Sequence, residues 1–178
     1  MQLIILRHIQ TQATEGLCYG QSEPPLPDDF EKQHRQLARA LQKQKFHAIY
    51  SSPLSRCSLL AQAIAGDQKV LTDERLMELN FGEWEGLHWN EIEQRPEAQA
   101  FFDDYLRCAP PGGESFIQLI ERVESFLMEI KNKHPRHQVL VVSHGGPIRA
   151  IYGLLENLEP EKYFNRQVAY GHLAQIRL

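Results

Sequence analysis

The chain has 178 residues, 42% hydrophobic and 24% charged, with a formal net charge of −4, which is enough apolar mass for one core and short for two. No long block of one charge sign occurs, so nucleic acid and anionic membrane surfaces are poor partners and any anion must be bound locally. The apolar runs are too short to span a bilayer, and the first residues enter a strand with no basic segment and apolar signal core ahead of it, so a cytoplasmic protein is expected.

Leu3-Ile4-Ile5-Leu6 is a branched-aliphatic run that stops at Arg7-His8. Such a run without polar alternation suits a strand buried on both faces. Residues 9 to 27 have loop composition, with Gly16, Gly20 and three prolines, and Thr11, Thr14, Tyr19, Gln21 and Ser22 offer neutral donors to an oxyanion. Asp28 or Asp29 caps a helix carrying Phe30, Leu37 and Leu41 on one face. Phe46 to Tyr50 forms a second strand, after which Ser52 is expected as a helix cap and Pro53 as the first helical residue, placing Arg56 in the first turn. A helix N-terminus favours an anion, and an arginine there adds a fork matched to phosphate oxygens.

Lys69 to Leu71 is a short third strand, followed by an acidic, aromatic stretch with Glu74, Glu78, Glu83 and Glu85. Residues 87 to 107 predict one or two helices interrupted near Pro96, and the segment from about 80 to 113 is an expected lid or insertion. Ser115 with Gln118 makes a capping box for a helix whose Phe116, Leu119, Ile120, Val123, Phe126, Leu127 and Ile130 form a core stripe. Val139-Leu140-Val141-Val142 repeats the pattern of the first strand and ends at Ser143-His144-Gly145-Gly146, with Pro147 opening another helix. Residues 171 to 178 alternate weakly and predict a closing edge strand. Cys18, Cys57 and Cys108 are odd in number and lack zinc or disulfide spacing, so reduced thiols are expected.

Either histidine alone would be an ordinary strand-end residue. Together they belong to one crevice, because open α/β sheets place ligands beyond the carboxyl ends of their strands. Two histidines, two arginines and helix N-termini suit a dianion. Arginine beside His8 opposes a divalent metal, and no metal or other cofactor is expected; Ser143 lacks the context of a serine nucleophile. What remains is phosphoryl transfer with neutral His8 attacking phosphorus in line while Arg7, Arg56 and a protonated His144 neutralise the equatorial oxygens. The leaving alkoxide needs a proton, and a carboxyl group near a bound dianion is suited to carry one.

Leu6-Arg7-His8 with Gln10-Thr11, the run Ser51 to Arg56, Leu76-Met77-Glu78 followed by Phe81-Gly82-Glu83-Trp84-Glu85-Gly86, and Ser143-His144-Gly145 stand in one order along the chain. In these blocks the chain resembles the histidine phosphatase superfamily, the branch that includes the cofactor-dependent phosphoglycerate mutases. The likeness spans nearly the whole chain. It implies a three-layer α/β/α sandwich around a mostly parallel sheet, a transient phosphate on His8, phosphate binding by Arg7, Arg56 and His144, and proton donation by Glu78; the resemblance alone selects Glu78 from the four acids. Cys18-Tyr19-Gly20-Gln21-Ser22 and Pro111-Gly112-Gly113-Glu114-Ser115 look most like α-ribazole phosphatases, which act on a nucleotide-like intermediate in cobalamin lower-ligand assembly.

Two positions depart from the family pattern. Ile9 stands where glycine usually follows the nucleophile, and a β-branched residue is costly there if the backbone needs positive φ. Thr14 stands where asparagine is frequent and is expected to give one hydrogen bond to phosphate. A small-molecule phosphomonoester is the expected substrate. The competing expectations are a phosphoglycerate mutase-type phosphotransferase and, because of Ile9, a phospho-ligand binding module with weak turnover. Oligomeric state is not legible.

Overall fold

The computed structural model describes residues 1–178. Its centre is a five-stranded sheet built on the two aliphatic runs. Strands β1 (Gln2–Arg7) and β4 (Gln138–Ser143) pair in parallel with Leu3 opposite Val139 and Arg7 opposite Ser143. Strands β2 (Ala48–Ser51) and β3 (Val70–Thr72) extend the parallel sheet on one side, and β5 (Leu173–Arg177) closes the other antiparallel to β1. The order is β3-β2-β4-β1-β5.

Residue alternation along the strands divides the core into two layers of contact. Leu3, Ile5, Tyr50, Val139 and Val141 pack on α5 (Phe116–Lys133) and α6 (Gly145–Leu155). Ile4, Leu6, Ile49, Leu140 and Val142 face Leu41 of α1 (Phe30–Leu41) and Cys57, Leu60 and Ala61 of α2 (Ser55–Ala65). Both faces are covered, which is why these strands read as unbroken aliphatic runs. The molecule is an α/β/α sandwich with a mostly parallel sheet.

The capping box of α5 forms as expected: Gln118 N–H donates to Ser115 Oγ at 3.3 Å and Ser115 N–H to Gln118 Oε1 at 2.8 Å. The acidic stretch holds two short 3₁₀ turns, Glu74–Leu76 and Gly82–Trp84. The Pro96 region separates α3 (Trp89–Ile92) from α4 (Ala98–Asp103). Trp84, Ile92, Ala98 and Phe101 make a separate small core with Cys18, tying this segment to the first loop. No helix is long and apolar enough to cross a membrane.

One helix start differs from expectation. Helix α2 begins at Ser55 with Leu54 extended ahead of it, not at Pro53. Ser52 Oγ is hydrogen-bonded to His144 Nε2 at 2.8 Å and reaches only Leu54 N–H, at 3.3 Å, so it serves the crevice more than the helix. Arg56 nevertheless falls in the first turn.

Candidate active site

The parallel pairing of β1 and β4 carries His8 and His144 to the same end of the sheet. His8 N–H donates to the Ser143 carbonyl at 3.2 Å, and the two imidazoles meet edge to face with centroids 5.0 Å apart. His8 is 1% exposed. Its Nδ1 lies 2.6 Å from the Ile9 carbonyl oxygen, which only accepts, so Nδ1 carries the proton of the neutral ring and Nε2 keeps its lone pair. Burial first, then the neighbouring Arg56, pushes the His8 pKa down to about 3 against the opposing pull of the Ile9 bond, so the ring is a free base at neutral pH.

Ile9 does not strain this arrangement. The only non-glycine residue with positive φ is Asn157, so Ile9 sits in ordinary backbone and its side chain is buried, while its carbonyl does the positioning. The conformational objection to a β-branched residue at this position is removed.

Arg56 is completely buried. It donates from Nε to His144 Nδ1 at 3.2 Å, from Nη1 to the Ser22 carbonyl at 2.8 Å and from Nη2 to the Gly20 carbonyl at 2.5 Å. Three of a guanidinium's five N–H donors are thereby used for orientation, and Nη1 also lies 3.8 Å from Glu23 Oε2, which leaves two N–H groups outside hydrogen bonds. The 20–22 loop is itself clamped by Glu85, which accepts from Gln21 N–H at 2.8 Å and Ser22 N–H at 2.6 Å. Gly20 is required for this closeness, since a Cβ there would lie 2.4 Å from both Glu85 Oε1 and the Leu79 carbonyl.

Arg7 donates from Nη1 to the Val168 carbonyl and stacks on Tyr170, its Cζ 3.9 Å from the ring centre. Its Nε is buried with no acceptor, a donor left for an anion to satisfy. The expectation of a protonated His144 is corrected. Full burial, with His8 and Arg56 adding like charge, holds its pKa well below the usual imidazole range, and accepting from Arg56 at Nδ1 requires an unprotonated nitrogen there. His144 is neutral and directs Nε2–H to Ser52 Oγ.

Glu78 follows the first 3₁₀ turn and points Oε1 at the N-terminus of α6, accepting from Gly146 N–H at 3.0 Å and from Leu79 N–H at 3.1 Å. Gly146 makes room for it, because a Cβ there would stand 2.4 Å from Glu78 Oε1. Beside Glu78 and Gly146 opens a cavity of about 210 Å³ with predominantly apolar walls. The other acids have other fates: Glu74 and Glu83 are exposed and Glu85 is the loop clamp. No group of three or more His, Cys, Asp or Glu side chains is arranged to hold a metal ion.

A buried neutral imidazole with a free Nε2, flanked by arginines with donors to spare and a carboxyl group at the mouth, matches the chemistry of phosphohistidine enzymes. The histidine phosphatase superfamily (branch 1) profile covers residues 3–178. The chain belongs to this superfamily. Among its relatives, phosphoserine phosphatase 1 of Hydrogenobacter thermophilus is 32% identical over 93% of this chain and 81% of the relative. A metal-independent phosphoserine phosphatase of Arabidopsis thaliana is 36% identical over 97% of this chain and 76% of its own. The crystal structure of the α-ribazole phosphatase from Shigella flexneri superposes with a TM-score of 0.92 at 27% identity, covering 100% of this chain and 91% of that one.

Within this superfamily member, Arg7, His8, Arg56 and His144 are brought together as expected, with Glu78 beside them. Thr14 is not. It is exposed, its hydroxyl makes no hydrogen bond, and it lines an adjoining groove with Tyr19, Trp89 and Tyr170. The turn in which Leu17 N–H donates to the Thr14 carbonyl at 3.0 Å belongs to the loop rim. Sequence reasoning missed Tyr170, whose ring centroid is 5.5 Å from that of His8 and whose hydroxyl meets that of Tyr19 at 3.0 Å; no local pattern marks it. It also missed Arg149, which did carry a signal as the one charged residue in the otherwise uncharged helix α6.

Proposed function

We propose that this protein is a metal-independent phosphomonoester hydrolase working through a phosphohistidine. The observation that carries the reading is the tautomer of His8: Nδ1–H is tied to the Ile9 carbonyl, so Nε2 is held as an unprotonated nucleophile among cations. His8 Nε2 attacks phosphorus, forming the P–N bond as the P–O bond to the alcohol breaks. The free donors of Arg7 and Arg56 hold the equatorial oxygens. Glu78 passes its proton to the departing oxygen, then accepts one from the water that attacks the phosphohistidine, releasing phosphate and regenerating His8.

Two substrate classes suit the cavity beside Glu78. α-Ribazole 5′-phosphate is supported by the motif Cys18-Tyr19-Gly20-Gln21-Ser22, the Shigella flexneri neighbour and aromatic walls that accept a planar ring. An amino-acid phosphoester is supported by the phosphoserine phosphatases among the relatives and by Arg149 in the wall. The segment from about 80 to 113, which contributes Phe81 and Trp89 to that wall, acts in this reading as cover for the leaving group.

The experiment is rapid acid and alkaline quenching with a ³²P-labelled aryl phosphate. An acid-labile, alkali-stable adduct on wild type that is lost in His8→Ala, with turnover indifferent to chelators, is the expected result. Absence of any adduct under burst conditions, or strong chelator inhibition, sinks the mechanism. Return of label from phosphoglycerate to the sugar acid, in place of release as phosphate, identifies a mutase.

A further inference from the structure

The cavity is walled by Leu17, Tyr19, Phe81, Trp89, Phe116 and Phe164, and the only charged residues lining it are Glu78 and Arg149. Arg149 is half-buried in the second turn of α6. Its Nε donates to the Arg166 carbonyl at 3.2 Å, and its guanidinium carbon lies 5.3 Å from the centre of the Phe164 ring. Neither terminal nitrogen has a protein acceptor. Every other arginine that is at least partly buried has a hydrogen-bond acceptor or an ion-pair partner at a terminal nitrogen: Arg7 on Val168, Arg56 on Gly20 and Ser22, Arg75 on Asp73 and Glu129, Arg122 on Glu114, and Arg95 in an ion pair with Glu97 at 3.6 Å.

The neighbourhood makes this idle cation costly. A Cβ placed on Gly145 would be 2.9 Å from Arg149 Nη1 and 3.4 Å from Arg7 Cζ, so the two guanidinium groups flank one glycine. Desolvation first, then the charge of Arg7, disfavours the charged form of Arg149, and the nearby Glu78 offsets this only in part. A partly buried cation whose terminal nitrogens have no hydrogen-bond acceptor, in the wall of a cavity whose only other charged residue is Glu78, is a feature of ligand recognition more than of stability. The transferring phosphoryl group already has Arg7 and Arg56, and the cavity lies on the Glu78 side, where the leaving oxygen departs.

We infer that Arg149 binds a carboxylate carried by the leaving alcohol, so that the physiological substrate is a phosphomonoester of an acidic alcohol. The inference rests on the hydrolase reading and chooses between its two substrate classes, against the uncharged ring of α-ribazole. The fork of Arg149 accepts a carboxylate in bidentate fashion while the aromatic walls exclude water from the pair.

The test compares 4-carboxyphenyl phosphate with 4-carbamoylphenyl phosphate, which share shape and differ in charge. Wild type prefers the carboxylate by about tenfold or more in kcat/KM, expressed in KM, from a charge-assisted contact of ordinary strength. In Arg149→Met the ratio falls to near one, and Arg149→Lys restores part of it. Equal rates on the two esters in wild type, or a loss in Arg149→Met that leaves the ratio intact, overturns the inference. Calorimetric binding of both esters to His8→Ala asks the same question without turnover. If wild type hydrolyses neither ester while His8→Ala binds the carboxylate more tightly and the double variant with Arg149→Met does not, the anion site stands and the hydrolase reading falls.

Discussion

His8 is kept neutral by its surroundings, and that choice has a cost in acid. In the unfolded chain its imidazole titrates near 6.5, and in the folded chain near 3. Between these values the unfolded state binds the proton and the native state does not, so stability is fully present above pH 6.5 and falls as the pH drops toward 3. His144 is shifted in the same direction and adds to the loss. Replacing His8 with Gln, which cannot charge, should make the acid limb of a urea-stability profile shallower than that of wild type by up to about 1.4 kcal/mol per pH unit. Parallel profiles for the two proteins would show that His8 gains protons on acidification without unfolding. The residue identities were legible from sequence, since Arg-His after one aliphatic run and Ser-His-Gly after another mark a shared anion site. Their protonation states were not, because these depend on how completely the crevice is sealed and on which carbonyl meets which nitrogen.

At the scale of elements, helix α6 brings more than its N-terminus. Its second residue, Gly146, holds the Glu78 carboxylate by a backbone N–H and leaves the space that carboxylate occupies. Alanine is a better helix former than glycine, so Gly146→Ala does not weaken α6 by propensity. The added methyl group nevertheless collides with Glu78 Oε1 and displaces the carboxyl group proposed as proton donor. Hydrolysis of an alkyl phosphate, whose leaving group needs a proton, should fall about a hundredfold, and hydrolysis of 4-nitrophenyl phosphate, whose leaving group does not, far less. Equal losses on the two esters would remove Glu78 from proton donation. The capping box of α5 and the aliphatic strands were legible because their signals are local. The start of α2 was misplaced because Ser52 has two demands on one hydroxyl, and the demand from His144 is made by a residue distant in sequence.

Across the whole molecule, a chain of net charge −4 brings Arg7, Arg56 and Arg149 to one end of the sheet. Arg7 Nε is buried without an acceptor, and Arg56 has donors to spare. Binding of a phosphate dianion to this native arrangement must stabilise it. Inorganic phosphate at about one hundred times its dissociation constant should add about 2.7 kcal/mol, read as a rise in Tm that sulfate-free controls of matched ionic strength do not show. The rise should vanish in Arg56→Ala. A phosphate-independent Tm in wild type would mean that the crevice is closed to the anion. The same convergence explains why the four blocks are so far apart in the chain: the switch in strand order brings β1, β4 and the start of α2 to one edge, and no shorter segment contains the site.

The amino-acid sequence by itself determined the layered α/β architecture, the family, the paired histidines and the arginines, because buried strands, helix caps and functional blocks are written in neighbouring residues. Only the tertiary structure decided that His144 is neutral, that Ile9 costs the backbone nothing, that Thr14 faces the rim, and that the terminal nitrogens of Arg149 stand without an acceptor in the wall of the cavity. Those properties are set through space, by burial and by hydrogen bonds between segments that periodicity along the chain does not relate.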